Sequence, residues 1–359
     1  MAGQAEVEAM RRAVQLAQRG AATASPNPVV GCVVLDPDGR TVGEGWHERP
    51  GGPHAEVAAL RAAGAAARGA TAVVTLEPCR HTGRTGPCTR ALLEAGIARV
   101  VYAVADPSAV AGGGAEQLRA AGVAVEGGVL AEEAEAGNAR WLTAARLGRP
   151  QIVWKYAATL DGRSAAADGT SRWITSPQAR ADVHALRADV DAVVAGVGTV
   201  LADDPQLTVR APDGTPAARQ PLRVVVDTAG RTPTGSCVLD DTAPTWVATA
   251  AELGVGPDGH VDLQALARGL YARGVLRALV EGGPTLAGAL LRAGLVDRVV
   301  GYVAPALLGA GAPALAEAGV ATIADAYRLE LLDVRRVGPD VRLEAVPRAR
   351  GARQDEAEE

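Results

Sequence analysis

Short apolar runs alternate with segments of helical periodicity along this chain, and the alternation constrains the fold more than any single motif does. Val7, Met10, Val14 and Ala17 recur at helix spacing until Gly20 stops them. Residues 29–35 form an apolar run closed by the turn residues Asp36-Pro37-Asp38-Gly39. A helix over 54–63, a strand over 72–76, a helix over 89–95, a strand over 100–104 and a long helix over about 130–147 continue the series. Helices and strands in turn bury their apolar sides most simply as helices laid on a mostly parallel sheet, so an α/β fold is predicted.

The series breaks at Gly148-Arg149-Pro150 and starts again. Strands are expected at 151–159, 190–195, 222–226, 245–248, 278–281 and 296–303, with helices at 177–187, 263–272 and 285–293. A chain of 359 residues is long for one core and comfortable for two. The expected domains are therefore 1–147 and 150–348, both α/β, without an internal repeat. Residues 349–359 are charged and poor in apolar side chains, and disorder is expected there.

Composition excludes several classes of function. The net charge is -5, and no Lys/Arg block exceeds two residues, so no nucleic-acid partner is expected. No apolar run approaches the ~18 residues that span a membrane. The opening MAGQAEVEAM lacks the charged and apolar regions of a secretion signal, and four Cys in such a chain read as reduced thiols. A cytoplasmic location is expected.

Two short motifs hold ligand-type residues. Pro53-His54-Ala55-Glu56 supplies one His and one carboxylate; Pro78-Cys79 and Cys88 supply two thiols. Zinc takes His nitrogen and Cys sulfur readily, and a catalytic site uses three protein ligands with one position open. Zinc deaminases show His-x-Glu followed by Pro-Cys-x-x-Cys, with the Glu moving protons rather than binding metal. Glu56 fills that role, with His54, Cys79 and Cys88 as ligands. Inside a helix, His54 and Glu56 would point ~200° apart; they share a pocket only at a helix start, where Pro53 fits. A helix N-terminus near Cys79 would favour its thiolate. Against this, His-x-Glu recurs by chance, and Cys also serves as a small buried apolar residue, the role given to Cys32 and Cys237. A structural zinc site is the other alternative, but it ordinarily has four ligands rather than three and a carboxylate.

The second half is less transparent. Its glycine-rich turn, Glu281-Gly282-Gly283-Pro284-Thr285, follows a strand and opens a helix, a place suited to a phosphate. It is not Gly-x-Gly-x-x-Gly, so a dinucleotide-binding Rossmann domain is not supported. A purely structural turn stays open as well.

The thiol spacing departs from the general deaminase pattern, with eight residues between Cys79 and Cys88. The segment from Glu77 to Cys88, containing His81-Thr82-Gly83-Arg84-Thr85-Gly86-Pro87, closely resembles the loop of the bifunctional riboflavin-biosynthesis deaminase/reductases. Gly86 stands for a proline there and Arg80 for a Ser, which implies a slightly looser loop with zinc retained. Asn27-Pro28-Val29-Val30-Gly31 and Gly43-Glu44-Gly45-Trp46-His47 are similar to that family's deaminase pocket segments. Lys155, Leu160-Asp161-Gly162-Arg163, Trp173-Ile174-Thr175-Ser176, the run from Thr199 to Pro205, and Glu281 to Leu286 resemble its reductase segments. The resemblance covers nearly all of residues 5–347.

That resemblance implies a cytidine-deaminase-like three-layer domain followed by a dihydrofolate-reductase-like domain. The implied activities are zinc-dependent deamination of 2,5-diamino-6-(5-phosphoribosylamino)pyrimidin-4-one and NADPH-dependent reduction of its ribosyl group. Asn27 and His47 would hold the pyrimidine. Ala158, Trp173, Thr199, Asp203 and Thr228 fall at cofactor positions, with Gly283, Pro284, Thr285, Leu286, Ala287, Gly288 and Ala289 as the phosphate turn. Ser171, Arg187, Leu207, Arg210 and Glu281 fall at substrate positions, Arg187 and Arg210 being suited to bidentate contact with a phosphate. Lys155 or water is the candidate proton donor for reduction. The family also implies a homo-oligomer. Two other readings compete: a nucleoside or tRNA deaminase with an unrelated second half, and a binding protein that keeps zinc for stability alone.

Overall fold

The computed structural model describes residues 1–82, 86–108, 110–211 and 213–348. Residues 83–85, at the centre of the loop expected to be looser, and the tail expected to be disordered lie outside the described residues. The chain divides into two compact units, Met1–Gly148 and Arg149–Glu359.

The first unit runs α1 (Gln4–Gln18), β1 (Gly31–Leu35), β2 (Thr41–Trp46), α2 (Ala55–Ala63), β3 (Thr71–Leu76), α3 (Cys88–Ala95), β4 (Arg99–Val104), α4 (Gly114–Ala120), β5 (Ala124–Gly127) and α5 (Ala131–Leu147). Its sheet has the order β2-β1-β3-β4-β5. Strands β3, β4 and β5 are parallel, while β1 runs antiparallel to both its neighbours. Gly31 of β1 lies against α1, whereas Gly45, the partner of Cys32, lies against α2. Consecutive strand residues face opposite sides, so the two helices sandwich the sheet and the unit has three layers. Strand β2 escapes a hydrophobic-pattern reading because Gly43 and Gly45 stand where apolar side chains would mark its inner face.

The second unit runs β6 (Gln151–Thr159), α6 (Pro177–Ala188), β7 (Ala192–Gly196), α7 (Val197–Asp203), β8 (Leu222–Val226), β9 (Thr245–Ala248), α8 (Ala250–Leu253), α9 (Leu263–Ala272), β10 (Arg277–Glu281), α10 (Pro284–Arg292), β11 (Arg298–Ala304), β12 (Leu329–Val337) and β13 (Asp340–Pro347). Eight strands form one sheet in the order β12-β13-β11-β6-β10-β7-β8-β9. The six strands from β11 to β9 are parallel, and β13 and β12 add an antiparallel edge. Alternate residues of β7 serve two cores: Ala192 and Val194 pack with α9 and α10, and Val193 and Ala195 pack with α6. A strand buried on both faces reads as a continuous apolar run, which is why β7 is visible in the sequence. Each Val or Leu so buried contributes about 1.5–3 kcal/mol.

Candidate active sites

In the first unit His54 is the N-cap of α2 and Glu56 lies in its first turn. Extended backbone at His54 (φ -70°, ψ 161°) turns its side chain out of the helix register. The imidazole and the carboxylate can therefore meet in one cavity. Cys88 is the first residue of α3, after Pro87. Its backbone N–H donates to Cys79 Sγ at 3.4 Å, so the start of α3 faces that sulfur. His54 Nδ1 stands 3.2 Å from Cys88 Sγ and 3.6 Å from Cys79 Sγ. Ligands held at ~2.0–2.3 Å around one tetrahedral ion lie about 3.5 Å apart, so this donor set fits zinc. The Cys79 thiol is pulled well below its ordinary pKa by the hydrogen bond from the Cys88 thiol, and the Cys88 thiol rises in consequence.

Glu56 is only 3% exposed. Burial raises its pKa above the ordinary carboxylate value, and the charge of Cys79 adds to the effect. The cavity is about 470 Å³, and Asn27, His47, His54, Glu56 and Cys79 all line it. His47 Nδ1 lies 3.0 Å from the Pro53 carbonyl oxygen, which only a protonated nitrogen can approach, so Nε2 accepts from Asn27 Nδ2 at 3.0 Å. Both His47 nitrogens are thereby engaged. His47 orients the Asn27 amide, and among the described residues the Asn27 oxygen has no hydrogen-bond partner.

In the second unit the C-terminal ends of parallel strands gather the expected residues. Glu281 closes β10 and is 8% exposed. Arg187 of α6 grips it with two bonds, Nε to Oε1 at 2.5 Å and Nη2 to Oε2 at 3.1 Å. Lys155 Nζ of β6 lies 3.6 Å from Oε2. Burial alone would raise the Glu281 carboxyl, but Arg187 and Lys155 outweigh it and hold its pKa below the ordinary range. Burial lowers Lys155, with Glu281 partly opposing. The Arg187 fork is thus occupied by Glu281, and its Nη1 donates to the Thr208 carbonyl at 2.8 Å. Arg210 lies nearby: its backbone N–H donates to His184 Nδ1 at 3.3 Å, while its guanidinium reaches the Gln206 side chain.

The glycine turn follows β10 directly, with positive φ at Gly282 (131°) and Gly283 (59°). A side chain at Gly282 would run into Thr199 of α7, so the turn and that helix are fitted to each other. Pro284 to Ala289 form most of α10; Pro284 opens it, and Ala287 and Gly288 are buried. Ser171 Oγ donates to Asp203 Oδ1 at 3.3 Å. Trp173 is 69% exposed, with the Arg180 guanidinium 4.3 Å from its ring centroid. Leu207 and Ala158 are buried. Thr228 lies farther along, accepting from Val261 N at 3.3 Å beside His260. Asp204, next to Asp203, accepts from the Cys237 backbone N–H at 2.8 Å. Sequence reasoning passed over His184, whose single ring in an ordinary amphipathic helix gave no signal.

Comparison with known proteins follows the same division. Residues 4–104 match the cytidine and deoxycytidylate deaminase zinc-binding region, and residues 150–343 match the RibD C-terminal domain. The chain is 50% identical to the riboflavin biosynthesis protein RibD of Mycobacterium tuberculosis, over 95% of this chain and 97% of the relative. It is 48% identical to that of Escherichia coli, over 94% and 98%. Among solved structures, Acinetobacter baumannii RibD superposes with a TM-score of 0.74 at 42% identity, covering 96% of this chain and 99% of that one. The diaminohydroxyphosphoribosylaminopyrimidine deaminase/5-amino-6-(5-phosphoribosylamino)uracil reductase of Thermotoga maritima gives 0.71 at 36%, with the same coverage. A second half of this kind removes the reading of a nucleoside or tRNA deaminase with an unrelated partner domain. No helix among the described residues is long and apolar enough to cross a membrane. The chain belongs to the RibD family, the bifunctional zinc-binding deaminases and NADPH-dependent reductases of riboflavin biosynthesis.

Proposed function

We propose that residues 1–147 hydrolytically deaminate 2,5-diamino-6-(5-phosphoribosylamino)pyrimidin-4-one, and that residues 150–348 reduce the ribosyl group of the product to ribityl. One observation carries the first half: three metal-type donors lie within 4.8 Å of one another, and a buried carboxylate that is not among them lines the same cavity as His54 and Cys79. His54, Cys79 and Cys88 would hold the zinc, which when bound supplies Lewis acidity and makes water nucleophilic at neutral pH. Glu56 takes a proton from the attacking water and delivers it to the leaving amine. Water's oxygen becomes the ring carbonyl, its second proton ends on the adjacent ring nitrogen, and ammonia departs. Asn27, oriented by His47, hydrogen-bonds the pyrimidine and holds its amino-bearing carbon toward Glu56.

For the second half, NADPH would lie with its phosphates at the turn from Gly283 to Ala289, beside Thr199, and supplies the hydride. Ala158, Trp173, Asp203 and Thr228 complete the cofactor positions. Arg210, Ser171 and Leu207 hold the substrate, and the Lys155–Glu281–Arg187 cluster supplies its charged floor. Reduction at ribose C1 opens the ring, and its oxygen must receive a proton. Lys155, a buried ammonium whose acidity burial increases, is the side chain assigned here to give it.

The test is a coupled assay on the purified protein that follows ammonia release and NADPH oxidation together. Both should occur, in that order. Ammonia release without NADPH consumption would overturn the assignment of the second half.

Self-association and a cytoplasmic location belong to the same proposal. Edge strand β12 exposes Leu331 (61%), Leu332 and Val334 (57%), and its Glu330, Asp333, Arg335 and Arg336 offer both signs of charge. A second copy of this chain would cover those leucines, as unprotected edges are otherwise prone to promiscuous pairing. Leu331→Lys is expected to shift the protein to a smaller species in light scattering; an unchanged mass would remove β12 from the interface.

A further inference from the structure

The Glu77 carboxylate plays no part in the chemistry described above, yet it is 7% exposed and opens the turn that carries Cys79. Its Oε1 accepts from the backbone N–H groups of Gly113 at 3.1 Å and Ala115 at 2.8 Å. Its Oε2 accepts from Asp106 N–H at 3.1 Å. A single side chain at the end of β3 therefore ties down the residue just past β4 and the first turn of α4. Three N–H donors satisfy a buried carboxylate well, and the start of α4 adds favourable helix charge.

Of the residues held this way, Asp106 belongs to one wall of the deaminase cavity. Asp106, Ser108 and Ala111 line it on the side of Glu77. The wall is braced within itself: Ser108 N–H donates to Asp106 Oδ1 at 2.8 Å, and Ala111 N–H to Ser108 Oγ at 3.1 Å. It is also tied to the metal-ligand turn by Arg80 N–H, which donates to the Ala111 carbonyl at 3.2 Å. Gly114 completes the fit, because a Cβ there would overlap the Pro78 carbonyl oxygen. The wall and the Cys79 turn are thus packed backbone to backbone, with the Glu77 carboxylate as the charged link.

We infer that Glu77 is a positioning residue of the deaminase site: it fixes where Asp106, Ser108 and Ala111 stand relative to the Cys79 turn, and so sets substrate affinity rather than the chemical step. Three of the four residues at the reacting centre are anchored elsewhere. Glu56 and His54 belong to the start of α2, and Cys88 to the start of α3. Cys79 keeps its own tie to α3, its carbonyl accepting from Thr89 N–H at 3.2 Å, so loss of the Glu77 link should loosen the wall and leave the reacting groups in place. The inference rests on the reading of this cavity as the deaminase site.

The experiment uses the full chain with zinc. Hydrogen exchange on wild type comes first, and strong protection of the Asp106, Gly113 and Ala115 N–H groups is expected; rapid exchange there would end the inference before any variant is made. Glu77→Gln keeps the shape but sets an amide NH₂ against backbone donors. It is expected to speed exchange at those three positions, raise KM for deamination about tenfold, as the loss of a charge-assisted hydrogen bond allows, and leave kcat within about threefold. Zinc content and NADPH oxidation with deaminated substrate should match wild type. Loss of zinc, or a fall in kcat at unchanged KM, would place the action of Glu77 on the metal turn and overturn the inference. Kinetics identical to wild type would overturn it as well. If wild type itself released no ammonia, the reading of the cavity would fail, a result distinct from any behaviour of the variant.

Discussion

Glu56→Gln is expected to lower ammonia release by about 10²–10⁴-fold, the usual contribution of a positioned acid–base group, while the same protein continues to reduce deaminated substrate at the wild-type rate. The amide matches the carboxylate in shape, so the cavity and the donors His54, Cys79 and Cys88 should persist. What the amide lacks is a site for the proton that must travel from water to the leaving amine. Glu56 is buried and lies in the first turn of α2, so no neighbouring solvent-borne base can replace it at short range. Zinc measured by atomic absorption should remain at the wild-type level. Retained ammonia release above about a tenth of wild type would show that another group moves the proton. Loss of zinc along with activity would mean that Glu56 supports the metal rather than the reaction. The separate reductase activity in the same chain provides the control for folding.

The deaminase site was legible in the sequence because its chemistry is carried by rare residue types. Five His and four Cys are scattered over 359 residues, and three of them fall in two short motifs with a carboxylate. A helix start was the one geometry that let His54 and Glu56 face the same pocket, and the structure places His54 at the N-cap. The wall built on Glu77 left no such mark, since backbone N–H groups are its partners and every residue has one. The same holds for His47, whose engagement with Pro53 and Asn27 depends on a contact between two loops, one after α1 and one after β2. In the second unit, parallel strands such as β7 and β8 stood out as apolar runs. Strands β12 and β13 did not, because Leu, Glu, Asp and Arg are mixed along them and neither face reads as uniformly apolar. The cluster of Lys155, Arg187 and Glu281 is drawn from β6, α6 and β10, and no spacing rule connects residues that far apart. There, family resemblance supplied what periodicity does not contain.

That cluster carries the other large effect. Glu281→Ala is expected to destabilise the second unit by about 3–5 kcal/mol, the range for removing one partner from a buried ion pair, and to leave the first unit unchanged. The carboxylate is 8% exposed, and the side chains of Arg187 and Lys155 are each 16% exposed, so truncation strands two cations with little access to water. Glu281→Gln should cost less, since its oxygen still accepts from Arg187. The pH dependence gives an independent check. The folded-state pKa of Glu281 lies below its ordinary value of 4.5, so its ionised form stabilises the fold. That contribution is complete above about pH 4.5 and disappears as the pH falls further through the folded-state value. Wild type should therefore lose stability relative to Glu281→Gln on acidification below pH 4.5, and the two should run parallel above it. Hydrogen exchange in graded urea, read on peptides from residues 150–348, separates this unit from the other. A Glu281→Ala protein within about 1 kcal/mol of wild type would mean that Arg187 and Lys155 find water or new partners at little cost. The cluster would then be a binding surface kept for its charge, with no structural share in the fold.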